Sequence, residues 1–151
     1  MARTEIFVDA SPNDVFDVLS DAGRYASWVV GAREIRAVSG NWPAPGAALA
    51  HTVGRPPLAI ADETVVLHAR RPVRLQLSAR ARPLPSARIT FDLQPDGQGT
   101  RVTMVEDAAS ASLNALAGPL IHAAIRARNR ESLRRLRALV EELHRTSGVA
   151  V

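Results

Sequence analysis

The stretch PLIHAAIRARNRESLRRLRALVEELH, residues 119–144, decides the fold. Pro119 suits the first turn of a helix, and the residues behind it repeat with helical period over about 25 residues. At ~100° per residue, Ile121, Ile125, Arg128, Ser132, Leu136, Leu139 and Leu143 fall in one stripe about 80° wide. Arg126, Arg130, Arg134, Arg137 and Glu141 fall opposite, and Glu131–Arg135 and Glu141–Arg145 are favourably ordered (i, i+4) pairs. The stretch therefore predicts one long amphipathic helix that needs an apolar surface to lie on.

That surface is predicted upstream. Residues 47–54, 58–69, 73–82, 86–94 and 101–108 read as successive strands, separated by the turn signals Arg71-Pro72, Arg82-Pro83-Leu84-Pro85 and Pro95-Asp96-Gly97-Gln98-Gly99. Links this short join antiparallel neighbours, so the strands form a meander and not βαβ units. A strand at 32–39 precedes them across the link Asn41-Trp42-Pro43-Ala44-Pro45-Gly46. At the N-terminus, residues 4–10 alternate as a strand with Ile6 and Val8 on one face. Ser11-Pro12-Asn13-Asp14 then starts a short helix carrying Val15, Phe16, Val18 and Leu19, and a second short helix at Arg24–Val29 holds Tyr25 and Trp28. The class is α+β: an antiparallel sheet of about six to seven strands, two short helices after the first strand, and a long helix laid across one face. Residues 1–146 read as a single domain and 147–151 as a tail.

Composition narrows the chemistry. The 151 residues include no Cys, which removes disulfides, thiolate nucleophiles and Cys-ligated metal sites. All 19 basic residues are Arg, offset by 15 carboxylates to a net charge of +4. Five of the six aromatics (Phe7, Phe16, Tyr25, Trp28, Trp42) lie far in sequence from the arginine-rich helix, so basic and stacking residues are not interleaved and no nucleic-acid partner is expected. No apolar run approaches the ~20 residues that span a bilayer, and the N-terminus has no signal-type apolar core, so a cytoplasmic location without stable membrane insertion is expected. No phosphate loop, Gly-x-Ser-x-Gly elbow or His-Glu-x-x-His is present. The histidines at 51, 68, 122 and 144 lack ligand spacing, so neither a metal nor a cofactor is expected.

The order of elements and several sequence words resemble the START-like (SRPBCC, polyketide cyclase/dehydrase and lipid-transport) superfamily. The words are Ala10-Ser11-Pro12 with Asp14-Val15-Phe16-Asp17-Val18-Leu19-Ser20-Asp21, Arg24-Tyr25 with Trp28, and Gly99-Thr100-Arg101-Val102-Thr103-Met104 with Glu106. Ser132-Leu133-Arg134-Arg135-Leu136-Arg137 with Glu141 completes the set. The resemblance spans nearly the whole chain. It implies the helix-grip fold, with a curved sheet wrapped around the C-terminal helix and a cavity between them for lipids, polyketides or similar molecules. The superfamily has no shared catalytic motif, so the resemblance implies a fold and not a reaction.

Strand phase selects the polar residues aimed at such a cavity. Val102, Met104 and Glu106 share a face, so Glu106 points inward or, near its strand end, reaches water; an inward carboxyl is raised in pKa unless paired. His51 shares phase with Leu49 and Val53, as a hydrogen-bonded core residue or as an acid/base. Residues 58–69 cannot be phased, which leaves Asp62 and His68 unassigned. On the helix, Arg128 and Ser132, with Asn129 beside them, interrupt the apolar stripe. They form a polar window for a ligand head group, or Arg128 snorkels outward, or it pairs with Glu106. Trp28 and Trp42 flank the expected cavity mouth, Leu77 and Phe91 its floor; Met104, Ile121 and Ile125 complete the lining.

The leading expectation is a carrier or sensor of a small hydrophobic molecule, because apolar lining carries scattered polar points without a paired acid and base. The alternatives are a cofactor-independent polyketide cyclase or dehydratase using His51 or Glu106, and a co-chaperone-like interaction module. Oligomeric state is not encoded in any pattern found.

Overall fold

The structure, a computed structural model, describes residues 1–81, 84–108 and 118–149. Of the turn expected at 82–85, Arg82 and Pro83 lie outside the described residues, as do Ala150 and Val151 of the tail.

Strand β1 (Ala2–Val8) leads into α1 (Pro12–Leu19). Ser11 caps α1 reciprocally: its Oγ accepts from Asp14 N at 3.2 Å, and Asp14 Oδ2 accepts from Ser11 N at 3.2 Å. The cap turns Val15, Phe16, Val18 and Leu19 into the core. A 3-10 turn (Ala22–Arg24) and a four-residue α2 (Tyr25–Trp28) follow, burying Tyr25 and Trp28. Strands β2 (Ala32–Ser39), β3 (Ala48–Val53), β4 (Ile60–Arg70), β5 (Arg74–Ala81), β6 (Leu84–Asp96) and β7 (Gly99–Ala108) then meander. The seven strands form one antiparallel sheet in the order β1-β7-β6-β5-β4-β3-β2. Each short link pairs its two strands, and β1 closes against β7, with Thr4 opposite Met104 and Ile6 opposite Val102. At Gly99 a Cβ would collide with the Phe7 ring and the Val8 carbonyl, so only glycine lets β7 start against β1.

Register shifts in the β2–β3, β4–β5 and β5–β6 pairs mark bulges, which bend the sheet around its inner face. The bulge between Val66 and His68 explains why residues 58–69 resist phasing. Asp62, Thr64 and Val66 face inward before it; after it Leu67 and His68 both lie outside and Ala69 is half-buried. One alternation cannot describe both halves.

Helix α3 (Pro119–Gly148) packs on β1, α1 and α2. Its buried residues are Asn129, Ser132, Leu133, Leu136 and Val140, so the buried face is rotated by about one position from the predicted stripe. Arg128 leaves that face, its side chain 43% exposed, and Asn129 takes its place at 0%. An amide is cheaper to desolvate than a guanidinium, which decides the choice between adjacent polar residues. Among the described residues, no helix is long and apolar enough to cross a membrane.

Candidate functional site

The fold brings together two groups of polar side chains. The first joins β7 to α3. Glu106 comes inward in phase with Val102 and Met104, and its Oε2 accepts from Arg128 Nη2 at 2.5 Å and from Asn129 Nδ2 at 2.8 Å. Arg128 closes the set by donating to Asn129 Oδ1 from Nε (3.3 Å) and Nη2 (3.2 Å). The guanidinium thus serves the protein's own carboxylate, one of the three arrangements that the sequence allows. Ser132, on the same face, fastens the chain after α2: its Oγ accepts from Val30 N at 3.0 Å.

The second group is aromatic. Tyr25 sits at its centre, with ring centroids 5.5 Å from Trp28, 6.3 Å from Trp42 and 5.3 Å from His51. Trp28 continues it edge-on to Phe91 at 5.7 Å. The four-residue α2 supplies Tyr25 and Trp28; β3 supplies His51, which faces Asp62 across the β3–β4 ladder. Thr64, fully buried on β4, ties the group together, its Oγ1 3.2 Å from Tyr25 Oη and 3.0 Å from His51 Nε2. Arg36 braces the floor from outside, donating to the carbonyls of His51 (3.1 Å) and Asp62 (3.3 Å).

Burial sets the charge of this group. It pushes the Tyr25 phenol up to about 12, outweighing the Thr64 hydrogen bond. Burial first, and then the Arg36 charge, hold His51 below the ordinary imidazole range. Both are neutral near pH 7. Two of the group's polar atoms have no partner among the described residues, His51 Nδ1 and Trp28 Nε1, although His51 and Trp28 are only 3% and 2% exposed. Thr4 Oγ1 is a further buried atom without a partner, on β1. An unmet buried donor or acceptor costs about 1–3 kcal/mol, so these atoms are unspent hydrogen-bonding capacity.

The remaining expected lining residues are dispersed. Leu77, Phe91 and Met104 are 1%, 1% and 4% exposed and belong to the close-packed core. A molecule reaches them only by displacing part of that packing. Trp42 is half-buried, and its indole N–H is satisfied by the Leu19 carbonyl at 3.2 Å. Ile125 is half-buried, while Ile121 is 55% exposed on the rotated helix. A concavity of about 190 Å³ lies away from the aromatic group, between α1 and the C-terminal end of α3, lined by Asp14, Asp17, Asp21, Arg24 and His144 among others. Among the described residues, no three His, Cys, Asp or Glu side chains gather as metal ligands would.

Three members of the aromatic site escaped selection from the sequence. The sequence places Tyr25 in a helix without giving it a role, and Thr64 and Asp62 fall on the strand whose phase the bulge hides. The available signal was the 62–64–66 parity before the bulge, with Asp62, Thr64 and Val66 on one face.

The chain's similarity to known proteins follows this architecture. The family described as polyketide cyclase / dehydrase and lipid transport matches residues 2–141. Among solved structures, protein CV1439 from Chromobacterium violaceum is 20% identical with a TM-score of 0.72, covering 92% of this chain and 96% of its own. SA2116 from Staphylococcus aureus, a protein of unknown function, is 11% identical with a TM-score of 0.73 over 95% and 94% of the two chains. TTHA0849 from Thermus thermophilus is 16% identical with a TM-score of 0.67 over 92% and 95%. Identities this low show a shared fold alone. Among curated proteins no match is found.

Proposed function

The chain belongs to the polyketide cyclase / dehydrase and lipid transport family, and from that premise we propose that it binds a small, mostly apolar molecule at the Tyr25–Trp28–His51 cluster. The observation that carries this reading is the pair of unpartnered polar atoms, His51 Nδ1 and Trp28 Nε1, within one aromatic group. Tyr25, Trp28, Trp42 and Phe91 supply apolar faces, and the unpartnered atoms supply orientation, the mixture typical of small-molecule sites. Binding requires the cluster to open, because its rings are packed against one another. The role is that of a carrier or sensor.

Native mass spectrometry of freshly purified protein tests the reading directly. An apolar mass that co-purifies, leaves on mild activation and changes tryptophan fluorescence on return supports it. An apoprotein mass, with no saturable fluorescence change across a panel of aromatic ketones and lipids, overturns it.

A second reading, proton transfer to or from a bound carbonyl compound, is favoured by the Tyr25–Thr64–His51 chain of hydrogen bonds. His51 is its acid/base candidate. Glu106, already held by Arg128 and Asn129, serves structure in either reading. Loss of turnover with retained binding in His51→Ala supports the enzyme; unchanged behaviour in Glu106→Gln is expected in both cases.

A further inference from the structure

Resting on the binding site proposed above, we infer that the buried polar end of the ligand is an uncharged carbonyl oxygen, as in a ketone, quinone or ester, and that free fatty acids and amines are rejected. The direction of the hydrogen bonds leads there. Thr64 has one hydroxyl proton, so it can donate to only one of its two neighbours, and the pairing that uses every group is to accept from one and donate to the other. A phenol is the stronger donor of the two ends and a neutral imidazole nitrogen the stronger acceptor. The chain therefore runs from Tyr25 Oη–H to Thr64, and from the Thr64 hydroxyl to His51 Nε2. That assignment places the imidazole proton on Nδ1. Indole nitrogen only donates, so both unpartnered atoms, His51 Nδ1–H and Trp28 Nε1–H, are donors seeking an acceptor.

A carbonyl oxygen has two lone pairs and no proton of its own, so it can accept from either donor. A carboxylate accepts equally well, but it brings a charge into a neutral site. The nearby cations are committed: Arg36 holds the His51 and Asp62 carbonyls, and Arg128 holds Glu106. Burial is the largest cause opposing an anion at the centre of the cluster, as it is for Tyr25; the Asp62 charge adds to it, while the Arg128 and Glu106 charges act in opposite directions. A buried carboxylate without a counterion is strongly disfavoured. An ammonium group meets donors where it needs acceptors.

The test uses one skeleton with four polar ends: α-tetralone, tetralin, and the α-amine and α-carboxylate of tetralin, each titrated into the full chain at neutral pH. The ketone is expected to bind at least about tenfold tighter than the other three, the equivalent of one good hydrogen bond. Its C=O stretch should move to lower frequency when bound, by more than in a hydrocarbon solvent. Trp28→Phe should reduce that shift and lower ketone affinity towards that of tetralin, leaving tetralin affinity little changed. The wild-type infrared shift stands alone should the variant fold poorly. Carboxylate or amine binding as tight as the ketone overturns the inference. Equal affinity for ketone and hydrocarbon with an unshifted stretch overturns it too, and in either case the broader binding reading stands. If no member of the set binds, both fail.

Discussion

The Glu106–Arg128–Asn129 group and the Tyr25–Thr64–His51 group both place hydrogen-bonding side chains inside the fold, yet one is closed and the other is not. Glu106 Oε2 receives two donors, and Asn129 uses both its amide nitrogen and its oxygen within the group. The aromatic group, in contrast, buries two polar atoms without partners. A polar residue inside a fold is therefore no sign of function by itself; what sets the aromatic group apart is two unmet polar atoms gathered among packed rings. The two were hard to tell apart in the sequence, where Arg128 and Glu106 stood out and Tyr25 and Thr64 did not.

Mutations can break the contrast. The largest effect is expected from Trp28→Ala, which deletes a large ring packed on Tyr25 and Phe91 at 2% exposure. A stability loss of about 3–5 kcal/mol in denaturant titrations is expected, with a much smaller loss for Trp28→Phe. Equal losses would tie the cost to the indole N–H and make that atom structural. Next comes Asn129→Ala, which should cost about 1–3 kcal/mol because it strips a donor from a buried carboxylate. Combined with Glu106→Gln, the two changes should prove less costly than their sum; additivity would mean that the closed group is not a unit.

Ser132→Ala should cost less, about 0.5–1.5 kcal/mol, by freeing the Val30 amide. The smallest effect is a slope in a pH series. The folded protein holds His51 below the ordinary imidazole value of 6.5, so the unfolded chain takes up its proton first as pH falls. The stability this contributes is complete above about pH 6.5 and is lost as pH falls through the folded-state value; His51→Gln should flatten that part of the profile. At the alkaline end the sign reverses. Tyr25 is the chain's single tyrosine, so phenolate absorbance in the native state should rise near pH 12, above the ordinary phenol value of 10.0. Native titration close to 10 would show that the cluster is open to water.

The sequence made the fold legible because the fold rests on repeated signals. The Ser11-Pro12-Asn13-Asp14 cap, the turn residues between strands and the helical period after Pro119 each mark an element within a few residues of its place. The site rests on single events that periodicity does not carry. Arg128 and Asn129 differ by one position, and desolvation cost decided between them only once the helix met Glu106. Leu77 and Phe91 are inward by phase, but phase says nothing of whether neighbouring rings fill the space above them. Thr64 was hidden by the extra residue in β4.

That extra residue has a consequence for chain length. Upstream of it the inward positions of β4 are even-numbered, and downstream the half-buried position is Ala69, so the strand changes parity midway. Deleting Leu67 would restore a single frame and still leave His68 outside, with Val66 and Ala69 inward. Without the offset, an uninterrupted alternation from Val66 would carry His68 under the sheet, close to Leu75, which pairs with Ala69. By spending one residue the strand keeps this second titratable ring in solvent and leaves His51 as the imidazole that β3 and β4 enclose.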